Sequence, residues 1–328
     1  MAICILGDLH LRDDKDYFVE TCEQFLEWFR LQPYNNKENT LILLGDLVER
    51  ALLSGRVAEY LERFIKYSQY KDIHIIVGNH DLKRQYNTEQ LAYHFYVNKP
   101  HIHIHYNCEK FIVEGKSILA MPHFNGVNSY NQNLVQFYST LTEKKAYQEH
   151  YDLALGHFNC DDISFGNQAV HDIEKLDADR VVLGHIHGRD RNPDRYLGSV
   201  FAGKVDENDN NRAMLVVDGD SIEEYRLPKF NEFLSAYYPE ELPKSDALVP
   251  IYKIYNCTSE SIAREKYGNI FIQKTIRAES DVKINKSKVS FEQNFSSSLN
   301  IKDILRELLS NRPDISQNAK NICNRIVS

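Results

Sequence analysis

Apolar positions along the first two-thirds of the chain alternate between two periods. Ala2–Leu6 is a short apolar run of the kind that forms a buried strand. After it, Cys22, Phe25, Leu26 and Phe29 recur at i, i+3, i+4 and i+7, the spacing of a helix buried along one face. The alternation repeats. Thr40–Leu44 predicts a second strand, Val57, Leu61, Phe64, Ile65 and Ser68 fall at helical spacing, and Ile73–Val77 predicts a third strand. Ser117–Met121, Asp152–Leu155, Arg180–Leu183 and Met214–Asp218 predict further strands. Strands that alternate with amphipathic helices imply an α/β fold whose sheet is mostly parallel and covered on both faces.

The texture changes at Pro228. Pro228, Pro239, Pro243 and Pro250 punctuate a stretch of little periodicity, which reads as a linker. Beyond it, Ile251–Cys257, Ser259–Gly268 and Asn269–Ile276 read as strand, helix and strand. Asp281–Ser298 is rich in Ser, Lys and Asn and predicts a second linker. Ile301, Ile304, Leu305 and Leu308 share one helical face, Pro313 breaks it, and Ile315, Ile322 and Ile326 follow on a second short helix. The organisation expected is a large domain over residues 1–228, a small α/β unit over 229–285, and a linker with a helical tail over 286–328.

Composition narrows the class. With 328 residues the chain has room for about two domains of ~150 residues. Its 42% hydrophobic and 26% charged content excludes a disordered polymer. Six dispersed cysteines without a C-x-x-C pair argue against a zinc ribbon or a disulfide framework and favour a reducing compartment. Neither a signal peptide nor a membrane span is expected, so a cytoplasmic location is. A net charge of -8 excludes a protein that coats nucleic acid with its whole surface, but not one with a local groove.

The chemistry lies where the predicted strands end. Gly7–His10 (GDLH), Gly45–Glu49 (GDLVE) and Gly78–Asp81 (GNHD) follow the first three strands, and Leu155–His157 (LGH) and Leu183–His187 (LGHIH) follow two later ones. Ligands of open α/β sheets bind beyond the carboxyl ends of the strands, so these clusters should converge in one crevice. Asp, His and Asn are the donors that hold divalent ions such as Mn²⁺, Fe²⁺ or Zn²⁺. Any one of these clusters alone would be a turn or a satisfied histidine; five in order after strands leave that reading little room.

The series Asp8-x-His10, Gly45-Asp46, Gly78-Asn79-His80-Asp81, Gly156-His157 and Gly184-His185-x-His187 resembles the calcineurin-like metallophosphoesterase superfamily. Within it, GDLHL, GNHD and GHIH look most like the SbcD-type DNA repair nucleases and the phage recombination endonuclease subunits of that group. Tyr196–Val200, an acidic stretch and the strand Met214–Asp218 add to the likeness. The resemblance implies a metallophosphoesterase sandwich of β-sheets flanked by helices, with a small α/β cap and a C-terminal helical tail. It implies two divalent ions, Mn²⁺ above all. Asp8, His10, Asp46 and His187 would hold one, and Asp46, Asn79, His157 and His185 the other, with Asp46 shared. His80 is left as the residue that protonates or positions the leaving oxygen, with Asp81 orienting it.

The implied activity is phosphodiester hydrolysis by a metal-activated hydroxide: a 3′-to-5′ exonuclease and single-strand endonuclease acting on single- and double-stranded DNA ends. The implied partners are an SbcC-type coiled-coil ATPase, docked by Ile301–Leu309 and Ile315–Ile326, and a second copy of the chain. At a charge of -8 the chain would hold duplex DNA weakly by itself. The alternative is a metallophosphodiesterase acting on small nucleotides or phosphoproteins. Against it, GDLVERA lacks the second Asp and the following Gly of phosphoprotein phosphatases, although Arg50 stands where they carry a phosphate-binding Arg, and no Arg precedes GNHD. His101, His103 and His105 alternate along a strand and are expected at the solvent face, and His123 in a structural role.

Overall fold

Each predicted strand–helix pair at the start of the chain forms: β1 (Ala2–Leu6), α1 (Asp16–Arg30), β2 (Thr40–Leu43), α2 (Gly55–Tyr67) and β3 (Asp72–Ile76). Ser54 caps α2, its hydroxyl accepting the Val57 N–H at 3.1 Å. The computed structural model describes residues 1–85, 88–123, 149–160, 169–170, 173, 176–189, 192–208 and 211–276, all within the compact unit Met1–Ala278. The tail expected over 286–328 lies outside the described residues.

A hairpin, β4 (Leu82–Gln85) and β5 (Thr88–Leu91), leads to β6 (Ile102–His105), β7 (Glu109–Val113) and β8 (Lys116–Met121). After β9 (Tyr151–His157) come two short strands, β10 (Asn159–Cys160) and β11 (Ala169–Val170), and then β12 (Ala178–Gly184). The last elements are β13 (Ala213–Asp218), β14 (Ser221–Arg226), β15 (Asn231–Tyr237), β16 (Val249–Tyr255), α3 (Glu260–Tyr267) and β17 (Phe271–Ile276).

Two sheets face each other. The larger has the order β14-β13-β1-β2-β3-β6, with β1, β2, β3 and β6 parallel and β13 antiparallel to β1. The smaller has the order β12-β9-β8-β7, parallel except for β7. Alternate side chains of β1 decide what covers each face. Ala2, Cys4 and Leu6 pack with Phe25, Phe29 and Phe64 of the helices, while Ile3 and Ile5 pack with Ile118, Leu153, Leu155 and Val182 of the second sheet. The larger sheet is therefore covered by helices on one face and by a sheet on the other, the sandwich that the family resemblance implies and that strand–helix alternation alone does not. No helix among the described residues is long and apolar enough to cross a membrane.

The stretch Pro228–Pro250 is not wholly a linker: Asn231–Tyr237 is strand β15, paired in parallel with β16 from Asn231↔Val249 to Tyr237↔Tyr255. Its apolar residues serve both faces, Phe233 packing toward α1 and Leu234 and Ala236 toward α3, so no period-2 signal survives. The prolines flank the strand.

The alternating histidines also depart from expectation. His101 is exposed, but His105 is buried, because this face of β6 looks onto the second sheet. His74 of β3 stacks on His103, His105 and Phe111, and its Nδ1 lies 2.9 Å from His105 Nε2. His105 Nδ1 in turn contacts Glu109 Oε1 at 2.9 Å, and His103 Nε2 contacts Asp72 Oδ1 at 2.9 Å.

Burial, aided by His105 and His103, pushes the His74 pKa down to about 3. The unfolded chain then binds more protons than the native one below the ordinary histidine value, so stability falls as pH drops from about 6.5 toward 3, by about 1.4 kcal/mol per pH unit. Urea unfolding at about pH 7.5 and about pH 5 should show the parent losing about 2 kcal/mol more on acidification than His74→Phe, which keeps the stacking. An equal loss in the two proteins would refute the assignment.

Candidate metal centre

The strand-end clusters converge where the parallel strands of the two sheets finish. β1 delivers Asp8 and His10, β2 delivers Asp46, β3 delivers Asn79 and His80, β9 ends on His157, and β12 leads into His185 and His187. Three groups of donor atoms result, each within 4.8 Å: Asp8–His10–His187, His10–Asp46–His80 and Asp46–His157–His185. Asp46 belongs to the last two, its Oδ2 lying 3.6 Å from His10 Nε2 and 3.1 Å from His157 Nε2. Asn79 joins the third group, its Oδ1 lying 3.1 Å from His157 Nε2 and 2.9 Å from His185 Nδ1. All seven positions expected to ligate metal are thus brought together.

The backbone is bent to achieve this. His10, Asp46 and His185 all have left-handed φ angles, +44°, +47° and +76°, in residues with side chains. Such conformations cost of order 1–3 kcal/mol each and persist where the surroundings over-determine them. Glycines supply the clearance. A Cβ on Gly78 would lie 2.2 Å from Asp46 Oδ1, and one on Gly184 would lie 2.4 Å from Asp8 Oδ1.

Asp81 does not orient His80. Its carboxylate accepts backbone N–H bonds from Asp46 and Gly78 on Oδ2 and from Leu47 on Oδ1, each at 2.9 Å, so it clamps the loop of Asp46 to the turn after β3. His80 is held instead at two points: its backbone N–H donates to the Asp46 side chain at Oδ1 (2.7 Å), and its ring Nδ1 lies 2.7 Å from the Glu49 carbonyl. A carbonyl accepts only, so His80 Nδ1 carries the proton and Nε2 is the atom left for chemistry. The same logic applies to His157, whose Nδ1 lies 2.6 Å from the Leu44 carbonyl and whose Nε2 faces Asp46 and Asn79.

Electrostatics report a crevice short of positive charge. Asp8 and Asp46 are 0% and 1% exposed. Burial raises the Asp8 carboxyl, with Asp46 adding to it, whereas His157 draws the Asp46 carboxyl down despite its burial. Burial opposes a charged His157, yet Asp46 and Asp8 outweigh it and raise its pKa to about 10. His185, buried beside His157, is instead pushed down to about 3. Asp8 Oδ1 and both ring nitrogens of His10 are buried without a hydrogen-bond partner. Orphaned donor atoms beside two buried carboxylates, with histidine and amide oxygen for the remaining ligands, are the chemistry of a divalent-ion site.

Two carboxylates had no role in the sequence reading: Glu207, which it did not single out, and Glu49, which it placed in the GDLVE cluster without a task. Glu207 Oε1 lies 3.0 Å from His187 Nδ1, and its Oε2 accepts the Gly203 N–H at 2.8 Å. Burial pushes the Glu207 carboxyl up, but the His187 hydrogen bond outweighs it and holds the pKa at about 2. Glu49 Oε2 lies 3.1 Å from His10 Nδ1 and 3.4 Å from Arg12. Glu207 fixes His187 from behind, turning its other ring nitrogen to the crevice, and Glu49 stands at ion-pair distance behind His10. The acidic stretch after Tyr196–Val200 held Glu207 in plain view, but nothing in its spacing says which acid folds back. His123 lies close by, its ring 6.0 Å from that of His185, and Arg50 is exposed.

The family model for calcineurin-like phosphoesterases matches residues 1–189. No curated protein matches the chain.

Glu207→Gln keeps the shape of the residue behind His187 but removes its charge. It should weaken Mn²⁺ binding by about 10–100-fold, read by titration calorimetry, while the melting temperature of the metal-free protein stays near that of the parent. Unchanged Mn²⁺ affinity would show that Glu207 does not position a ligand.

Proposed function

Since more than half of the chain matches the model, it belongs to the calcineurin-like phosphoesterase family, a family of metal-dependent hydrolases of phosphoester bonds, and we propose that it is a two-metal DNA nuclease. The observation that supports this most is the shared carboxylate: Asp46 sits between the His10 side and the His157–His185 side of one crevice. Two cations close together repel and need negative charge between them.

Asp8, His10, Asp46 and His187 would hold one ion, and Asp46, Asn79, His157 and His185 the second. When bound, such ions activate water and offset the charge that grows on the phosphoryl oxygens. The chain supplies the rest. Glu207 holds His187 in register from behind, and Glu49 places a negative charge behind His10. The Leu44 carbonyl fixes which nitrogen of His157 faces the site. Asp81 keeps the Asp46 loop closed onto the turn of Asn79 and His80. His80 keeps its Nδ1–H on the Glu49 carbonyl, so it would act as the acid only after Nε2 has taken up a second proton from water. The resulting imidazolium gives that Nε2 proton to the leaving oxygen and returns to the neutral ring.

The choice of DNA rests on the SbcD-like set GDLHL, GNHD and GHIH and on the departure of GDLVERA from the phosphatase pattern. The same reading assigns Mn²⁺ as the working metal, 3′-to-5′ exonuclease and single-strand endonuclease activity, and a cytoplasmic location. It also assigns residues 1–228 to catalysis, 229–285 to a cap over DNA, and 286–328 to docking on an SbcC-type ATPase, with pairing of two copies. Deleting Leu299–Ser328 should leave hydrolysis of an aryl phosphodiester unchanged and abolish capture of the ATPase.

The purified chain, incubated with Mn²⁺ and end-labelled linear DNA, should shorten the DNA, and chelation should stop it. His80→Asn should lower kcat by about 10²–10⁴ with Mn²⁺ affinity unchanged. Turnover of an aryl phosphodiester with both single- and double-stranded DNA left intact would sink the nuclease reading. Equal rates for His80→Asn and the parent would remove His80 from the chemistry.

A further inference from the structure

One face of the small sheet β15-β16-β17 is divided between two environments. Near the start of the strands, Phe233, Ile251 and Phe271 pack against Tyr17, Phe18 and Ala202. The opposite face is covered by α3, through Leu234, Ala236, Ile254, Ile272 and Ala263. Farther along the first face, toward the carboxyl ends, the residues change character to Ser235 and Tyr237 on β15, Lys253 and Tyr255 on β16, and Lys274 and Ile276 on β17. Ser235, Tyr237 and Lys274 are exposed, Tyr237 by 49%.

The register puts these side chains in contact. Tyr237 pairs with Tyr255 across the strands, and their rings stack with centroids 5.1 Å apart and planes 19° from parallel. Lys253 Nζ lies 4.7 Å from the Tyr255 ring centroid, and Lys253 pairs with Lys274 on the next strand. None of these six strand positions is acidic, in a chain whose net charge is -8. The hydrogen bond from Lys253 and the charge of Lys274 lower the Tyr255 phenol pKa, a sign that the local field is positive. Tyr237 lies on the edge strand, so one face of the stacked pair is open to solvent.

We propose that this half-face is a stacking platform for single-stranded nucleic acid, with Tyr237 and Tyr255 taking bases and Lys253 and Lys274 taking phosphates. Aromatic faces accept any base, and a groove of lysines beside them follows the backbone, which is the combination that sequence-tolerant strand binding uses. A cross-strand aromatic pair is otherwise a device for sheet stability, but stability does not call for a half-buried lysine on β16 and an exposed one paired with it on β17, which repel each other. The platform is also tied to the metal-site region. Asn208, next to Glu207, donates to the Phe233 carbonyl and accepts the Phe233 N–H, joining β15 to the loop that orients His187. The inference rests on the nucleic-acid reading of the site for its purpose, but binding can be measured without catalysis.

The test uses the full chain with chelator present and a fluorescein-labelled oligothymidylate, read by fluorescence anisotropy. The parent should bind. Tyr237→Leu with Tyr255→Leu should weaken binding at least about tenfold, whereas the matching Tyr→Phe pair should stay within about twofold. Lys253→Gln with Lys274→Gln should flatten the dependence of log affinity on log salt by about 1.4, the value for two lost phosphate contacts on a single strand. Melting curves and Mn²⁺-dependent hydrolysis of an aryl phosphodiester check that each variant is folded with its metal site intact. Parent-like affinity in the Leu pair, or no binding by the parent, overturns the proposal, the second outcome leaving the face to a protein partner. DNA cleavage by the parent with parent-like binding in the variants would sink the platform and spare the nuclease reading. Tyrosine-dependent binding without cleavage of any nucleic acid would do the reverse.

Discussion

Two carboxylates withdrawn from water set the terms for the rest of this structure. Asp8 and Asp46 are 0% and 1% exposed, and the ion pairs that reach them among the described residues come from histidines alone. Burying a charge without a partner costs several kcal/mol per ion after relaxation. The fold must therefore bring positive charge to the crevice, either as protons on imidazole or as cations. His157, raised to about 10, is what the protein offers in the first way. A histidine so placed has its Nε2 against Asp46 and Asn79, the position from which a divalent ion would take over the same carboxylate.

Holding such a crevice together is a backbone problem. Donors from five strands can meet because the parallel strands of both sheets end on the same side, and the left-handed turns at His10, Asp46 and His185 aim the side chains inward. Asp81 carries the cost of that arrangement: it neutralises three backbone N–H groups that the sharp turns leave unpaired. The strained loops are stiff because what lies beneath them is packed. Leu6, Leu44, Val77, Leu155 and Leu183 are all 0–1% exposed, so the site rests on a core with no room to relax.

The sequence is legible where one physical demand fixes one residue type. Buried strands followed by ligand clusters, and a helix with Cys22, Phe25, Leu26 and Phe29 along one side, admit a single reading. Legibility fails where a residue serves a partner distant in sequence. Glu207 is one acid among several until the loop folds back onto His187, and Asp81 looks like a neighbour of His80 until its oxygens are seen to face the backbone of residues 46, 47 and 78. His105 fails for another reason. Alternation says that it shares a face with His103, but not that this face meets a second sheet, since a strand buried by a sheet and one exposed to water carry the same period.

Net charge misleads here for a reason that the geometry makes plain. At physiological salt, charges more than about 8 Å apart are largely screened, so a value of -8 for the whole chain says little about what one crevice or one sheet face attracts. The local inventory matters. Around the crevice stand Asp8, Asp46, Glu49 and Glu207, with Lys204 3.6 Å from Glu207, and Arg12 shared between Asp14 and Glu49. Those carboxylates repel a phosphoester except as far as their charge is offset, by protons on His157 and His187, by Lys204, or by cations bound at the clustered donors. On the small sheet the paired Lys253 and Lys274 have a tyrosine beside them in place of such carboxylates.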